Sequence, residues 1–185
     1  MASTPNTTTD KITISPLTDE DVPAAFALLS ASFSGPDAAP FVDAYYPDHG
    51  TPGGRALGSA RLLRWMRGSG AYSVFLKATT IPSGLGEGEG KGRGADGGGD
   101  GETIIGFATW TLMQHPPSPD LETAEGGPEA VTAAWPDPRD RAFMARLWSQ
   151  YVGPRSRAVE KSGGRGVYGE LLLSLSRFPG LGWMR

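Results

Sequence analysis

Two apolar segments of strand length, AYSVFLKAT (residues 71–79) and ETIIGFATWTLM (residues 102–113), are separated by SGLGEGEGKGRGADGGGDG, in which ten of nineteen residues are glycine. Glycine alternating with charge offers no apolar anchor, so nothing offsets the entropy of ordering the segment. Residues 83–101 are therefore expected to form a flexible insertion within a hairpin, and the strands on either side of it to run antiparallel. The remaining segments must build on that hairpin. KITISPL (residues 11–17) alternates apolar and polar side chains at Ile12 and Ile14, which predicts a half-buried first strand. GVYGELLLSL (residues 166–175) predicts a fourth.

Helix signals fall between the strands. Thr18 is placed to cap a helix whose first turn holds Asp19, Glu20 and Asp21, with Asp21 at the capping-box position and Val22, Phe26 and Leu29 on one face. A second helix is predicted over residues 54–67, with Leu57, Leu62, Leu63 and Met66 inward and Arg61, Arg64 and Arg67 on a solvated face. Asp137 followed by Pro138 marks another helix start. There Phe143, Met144, Leu147, Trp148 and Tyr151 recur at helical spacing, and Gly153–Pro154 is expected to end or kink the helix. Residues 34–53 and 114–137, rich in proline, read as connections, and residues 1–10 as a disordered tail. The order strand, helix, helix, strand, hairpin, strand, helical crossing, strand predicts an α+β domain with a mostly antiparallel central sheet.

Composition excludes several function classes. A net charge of −3 and a pI near 5.4 give no general attraction to nucleic acid. The absence of cysteine removes disulfides, thiolate metal sites and cysteine nucleophiles. The two histidines, His49 and His115, lie far apart beside turn residues, are expected in loops, and form no metal-ligand spacing. With no apolar stretch near the ~20 residues of a membrane span and no apolar leader, the expectation is a cytoplasmic protein with no membrane partner.

The last segment, RFPGLGWMR, places a Gly-Leu-Gly turn directly after the fourth strand. A Walker loop would need Gly-Lys-Ser or Gly-Lys-Thr, and a dinucleotide fold would need its glycines in an early βαβ unit. Neither pattern occurs. Together, ITISPLTDEDVPAAFALLSASF, IIGFATWTL and FMARLWSQYVGPRSRAVEKSGGRGVYGELLLS resemble the first strand and helix, the third strand, and the helical crossing and fourth strand of the GNAT superfamily of N-acyltransferases, fungal members in particular. The resemblance covers roughly residues 11–182 and implies a GNAT-type α/β/α fold.

What that resemblance implies is transfer of an acetyl group from acetyl-CoA to the amine of a small-molecule or peptide acceptor. Leu173, Ser174 and Leu175 would pair their main chain with the pantetheine amides, and Gly180, Leu181 and Gly182 would cradle the pyrophosphate. Two registers compete for the position before the glycines. One places Arg177 at the Gln/Arg of the family turn; the other places Pro179 there, which has no N–H to offer a phosphate. Glu170 is the best-placed carboxylate for a general base, its alternative role being an ion-paired strand residue, and Trp110 and Trp148 either line an acceptor pocket or pack in the core. The family's third helix and fifth strand would follow Arg185, so residues 11–185 are expected to be an incomplete acetyltransferase domain with weakened catalysis. The alternative is a non-catalytic acyl-CoA-binding or protein-interaction module, with homodimerisation through the exposed sheet edge.

Overall fold

The computed structural model describes residues 11–34, 40–81 and 102–175, with Ala71 and residues 170–175 described by their backbone alone. Strands β1 (Ile12–Pro16), β2 (Ser73–Thr80), β3 (Thr103–Met113) and β4 (Val167–Leu175) form one sheet in the order β1-β2-β3-β4. Every neighbouring pair is antiparallel, so the α+β expectation stands, and β2 and β3 pair on either side of the glycine-rich segment as their connection predicts. The predicted tail at residues 1–10, the insertion at 83–101, and Arg177, Gly180, Leu181 and Gly182 lie outside the described residues.

Six helices accompany the sheet among the described residues: α1 (Val22–Ser32), α2 (Pro40–Tyr45), α3 (Pro52–Gly68), α4 (Leu121–Glu125), α5 (Pro128–Ala134) and α6 (Pro138–Lys161). Their starts follow local chemistry. A 3₁₀ turn at Asp19–Asp21 leads into α1, and the Thr18 N–H and hydroxyl both donate to Asp21 Oδ2, at 2.8 and 2.7 Å. Thr51 caps α3 by accepting from the Gly54 N–H at 3.0 Å, and Asp137 caps α6 by accepting from the Arg139 N–H at 2.7 Å.

Two expectations about the chain's crossings change. The proline-rich stretch before α6 is not plain connection. Asp120 accepts from the Thr123 N–H to start α4, Gly126 ends it at φ 86°, and Pro128 opens α5 at a position where its missing N–H costs nothing. Helix α6 also runs without interruption through Pro154 to Lys161. An interior proline costs about 3 kcal/mol because it removes one backbone donor and crowds the preceding turn. Here Val152 and Val159, on either side of it, are almost fully buried and hold the helix in place. The Arg155 guanidinium donates to the Tyr151 carbonyl at 2.8 Å, supplying a side-chain donor to the turn that the proline disturbs.

One face of the sheet carries the main core. Leu17, Phe75 and Phe107 pack against Val22, Ala25, Phe26 and Leu29 of α1 and Leu62 of α3. The two helices approach closely at Gly58, where an added Cβ would sit 1.9 Å from the Phe26 ring. Lys77, on this same face of β2, reaches Asp21 Oδ1 at 2.7 Å and ties the start of α1 to the sheet.

The other face is uncovered among the described residues. Ile12 and Ile14, expected to be half-buried, are 57% and 62% exposed. The alternation of β1 was read correctly, but its apolar side meets no helix among the described residues. Strand pairing puts Ile12, Ile14, Val74, Trp110 and Tyr168 on this face, all of them large and exposed.

Two stability tests follow from these contacts. Burial alone would raise the Asp21 carboxyl pKa, but hydrogen bonds from Lys77 and Thr18 outweigh it and hold the group below its ordinary value. A depressed folded pKa contributes stability above the unfolded value of about 3.9, and that contribution is lost as pH falls through the folded value. Asp21→Asn is therefore expected to lower stability by about 1–3 kcal/mol at pH 7, with the gap to wild type closing below about pH 4 in urea titrations. Thr109 is wholly buried on the helix-covered face, and its hydroxyl finds no partner among the described residues. Thr109→Val, which removes that unpaired group at constant shape, is expected to be neutral or to stabilise by about 1 kcal/mol in the same titration.

Candidate functional site

The residues singled out in the fourth strand lie at one margin of the sheet. In β4, Leu173 pairs with Ala108, Ser174 with Phe107, Leu175 with Gly106 and Glu170 with Trp110. The ladder shifts between Thr109 and Trp110, where Leu171 is the extra residue on β4. Because β4 is last in the strand order, its outer main-chain N–H and C=O groups face away from every other described strand. An extended ligand carrying amides could add along such an edge as a further strand would.

Glu170 and Trp110 are thus brought opposite each other, whereas Trp148 is not part of that margin. Trp148 lies on α6, its ring parallel to Tyr45 at 6.1 Å and near Tyr151 at 5.6 Å, and its Nε1 donates to the Ser118 carbonyl at 3.1 Å. It belongs to a second core built from Leu121, Val131, Ala134, Trp135 and Met144. Of the two tryptophans, Trp110 alone remains open to solvent beside the β4 margin.

Sequence reading missed two polar clusters. The first surrounds His49, which lies in the turn between α2 and α3 as expected of a loop residue, but with its side chain buried. Its Nδ1 lies 2.9 Å from Ser30 Oγ on α1, and its Nε2 lies 3.0 Å from Asp43 Oδ1 on α2. These are the residue types of a serine nucleophile, its base and an orienting acid, but the arrangement serves a different purpose. Ser30 Oγ is 2.8 Å from the His49 carbonyl and therefore has a local acceptor for its proton. Ser30 is itself buried, and the adjoining open cleft of ≈ 580 Å³ is lined by Phe33, Ser34, Asp43, Pro47, Asp48, His49, Gly50 and Thr51 without it. The cluster pins α1 to the turn between α2 and α3. No local signal could have revealed it, since Ser30 is 19 residues from its partner.

The second cluster overturns the reading of Arg61, Arg64 and Arg67 as a solvated face. Arg67 is exposed and pairs with Asp19 at 2.6 Å, and Arg64 is half-exposed, but Arg61 is buried. Its guanidinium makes a bidentate pair with Glu125 of α4, Nη2 to Oε1 at 2.6 Å and Nε to Oε2 at 3.0 Å. Nη1 donates to the Tyr45 carbonyl. The rings of Tyr45, Tyr46 and Trp135 surround the guanidinium carbon at 4.5, 4.8 and 4.6 Å. Tyr45 donates its hydroxyl to Glu125 Oε1 at 3.0 Å, and Arg64 adds a third cationic contact at 3.0 Å.

Burial pushes the Tyr45 phenol well above its ordinary value and the Tyr46 phenol up to about 12, so both stay neutral near pH 7. The pair is buried and fully bonded, and neither Arg61 nor Glu125 lines the cleft beside His49 or the one along α5, which makes it a structural joint. Among the described residues no group of histidine and carboxylate side chains could hold a metal ion, and no helix is long and apolar enough to cross a membrane. Removing one partner would leave an uncompensated buried charge, so Glu125→Ala is expected to cost about 3–5 kcal/mol in equilibrium unfolding. Arg61→Lys, which keeps the charge but cannot form the fork, is expected to cost more than half as much. Compared with protein-family models, with curated proteins and with solved structures, the chain finds no match.

Proposed function

We propose that this chain is an acyl-CoA-dependent N-acetyltransferase of GNAT type, in which β4 and the glycine turn after it hold acetyl-CoA while an amine acceptor attacks the thioester. The observation that carries the reading is the position of β4: a strand reached through a long helical crossing, left at the margin of an antiparallel sheet, and followed in sequence by Gly180, Leu181 and Gly182. The main chain of Leu173, Ser174 and Leu175 would bond the pantetheine amides, which needs donors and acceptors in register and no particular side chain. Glycine in the turn would let backbone N–H groups approach the pyrophosphate, with Arg177 supplying a positive charge.

Transfer is direct in this scheme. The acceptor nitrogen forms a bond to the thioester carbonyl carbon, the carbon–sulfur bond breaks, and the thiolate leaves to take up a proton. The acceptor amine must lose a proton to attack, and Glu170 is the carboxylate assigned to receive it, directly or through one water. No cysteine is needed, and the chain has none.

The test is calorimetric titration of the full chain with acetyl-CoA and with CoA. Saturable binding is expected, weakened at least tenfold by Gly180→Val with Gly182→Val while the far-ultraviolet circular dichroism is unchanged. Glu170→Gln should lower kcat for acetyl transfer to an amine by about 10²–10⁴-fold with little change in acetyl-CoA affinity, the loss expected on removing a general base. Absence of CoA binding, or binding indifferent to both glycines, would rule the proposal out.

A further inference from the structure

We propose that His49 is a pH-sensitive latch between α1 and the turn that joins α2 to α3. It holds while both ring nitrogens carry hydrogen and gives up one bond when either hydrogen leaves. Ser30 Oγ lies 2.8 Å from the His49 carbonyl oxygen and 2.9 Å from His49 Nδ1, and His49 Nε2 lies 3.0 Å from Asp43 Oδ1. A serine hydroxyl brings one hydrogen, a carbonyl oxygen none, and an ionised carboxylate only accepts. The carbonyl contact therefore takes the Ser30 hydrogen, the second Ser30 contact needs a hydrogen on Nδ1, and the Asp43 contact needs one on Nε2. All three are hydrogen bonds at once only in the imidazolium.

Either neutral tautomer loses a bond. With its hydrogen on Nε2 alone, the ring draws the Ser30 hydroxyl to Nδ1, and the Ser30 and His49 oxygens face each other at 2.8 Å with no hydrogen between them. With its hydrogen on Nδ1 alone, the lone pair of Nε2 faces the Asp43 carboxylate at 3.0 Å. Two acceptors held at hydrogen-bond distance repel each other. Ser30 and His49 are both buried, which raises the cost of the lost bond.

The charges around the ring favour the imidazolium. Asp43 of α2 pairs with it directly, and Asp48, in the same turn as His49, lines the same cleft. Helix α1 brings no charged side chain, and the Arg55 guanidinium of α3 donates to the Gly50 carbonyl at 2.7 Å. The Tyr46 phenol, pushed up to about 12 by burial, stays neutral, and the Tyr46 carbonyl accepts from the His49 N–H at 3.2 Å. Together with Phe33 and Ser34 at the end of α1, the turn held by the latch lines the open cleft of ≈ 580 Å³, so loosening it changes the shape of that cleft. No residue of β4 or of the turn after it takes part, so the latch does not depend on acyl-CoA binding there.

Histidine changes charge between about pH 5 and 8. A folded chain that holds the second proton more firmly than the unfolded chain is most stable at the acid end of that range, and loses the contribution as pH rises through it. Long-range proton–nitrogen NMR of the full chain carrying His115→Gln, which leaves a single histidine, reads the ring directly. Both His49 ring nitrogens should bear hydrogen at about pH 7, where an ordinary histidine is mostly neutral. From about pH 6 to about pH 8, the unfolding constant of the wild type should rise about three- to tenfold more than that of His49→Gln, the worth of one net hydrogen bond. If His49→Gln does not fold, Ser30→Ala, which removes the acceptor of Nδ1, should show the same loss of pH response. A His49 ring with one hydrogen at about pH 7, or a wild-type response no larger than the variant's, would overturn the proposal.

Discussion

The buried pair of Arg61 and Glu125 is the contact on which the two halves of the molecule depend. Arg61 projects from α3, which packs on the sheet through α1, and Glu125 closes α4, which belongs to the second core with α5 and α6. Tyr45 packs against both clusters and bonds to both charges through its carbonyl and hydroxyl. Burying two charges costs several kcal/mol each, and an apolar substitute of equal shape would often be as stable. What the pair adds is direction. A fork of donors meeting two carboxylate oxygens inside three aromatic rings permits one placement of α4 against α3, whereas packing alone tolerates several.

That placement has a consequence at the far end of the chain. Helices α4 and α5 set where α6 begins, and α6 carries the backbone from the second core back to the sheet, where β4 enters beside β3. The position of the β4 margin, on which the acyl-CoA proposal rests, is therefore determined partly by a salt bridge between α3 and α4. The His49 cluster acts similarly at shorter range, joining α1, α2 and the turn before α3. The Arg61 cluster is a closed network of satisfied groups, whereas the His49 cluster opens through Asp43 to the cleft beside it. Among the described residues, the strand margin offers a ligand unpaired backbone groups, and the sheet face turned away from α1 offers exposed apolar side chains.

Local features were legible wherever their cause was local. Asp137 before Pro138 announced the start of α6, Thr18 with Asp21 the approach to α1, and alternation the course of β1 and β2. Three features hold more than their local signals show. Pro154 signalled an end or a kink, but α6 continues through it between buried valines. Histidine beside glycine signalled a loop, and His49 does lie in a turn, but Ser30 and Asp43 reach it there from two helices. Three arginines spaced three apart signalled a wet helix face, but Glu125, 64 residues beyond Arg61, draws the first of them inside. Each surprise comes from a partner distant along the chain, which periodicity and capping rules do not see.

The sequence by itself determined the class of architecture. A glycine-rich connection with no apolar anchor made its flanking strands antiparallel neighbours, and apolar spacing placed helices before and after them. It also carried the resemblance from which the acyl-CoA reading comes, in β4 and in Gly180, Leu181 and Gly182. Only the tertiary structure decided which apolar residues are covered. Alternation along β1 or β2 shows that a strand has an apolar side but not whether a helix meets it, because that depends on where α1 and α3 are held. Phe75 and Phe107 became core on that account, while Ile12, Ile14, Val74 and Trp110, equally apolar in sequence, were left facing outward.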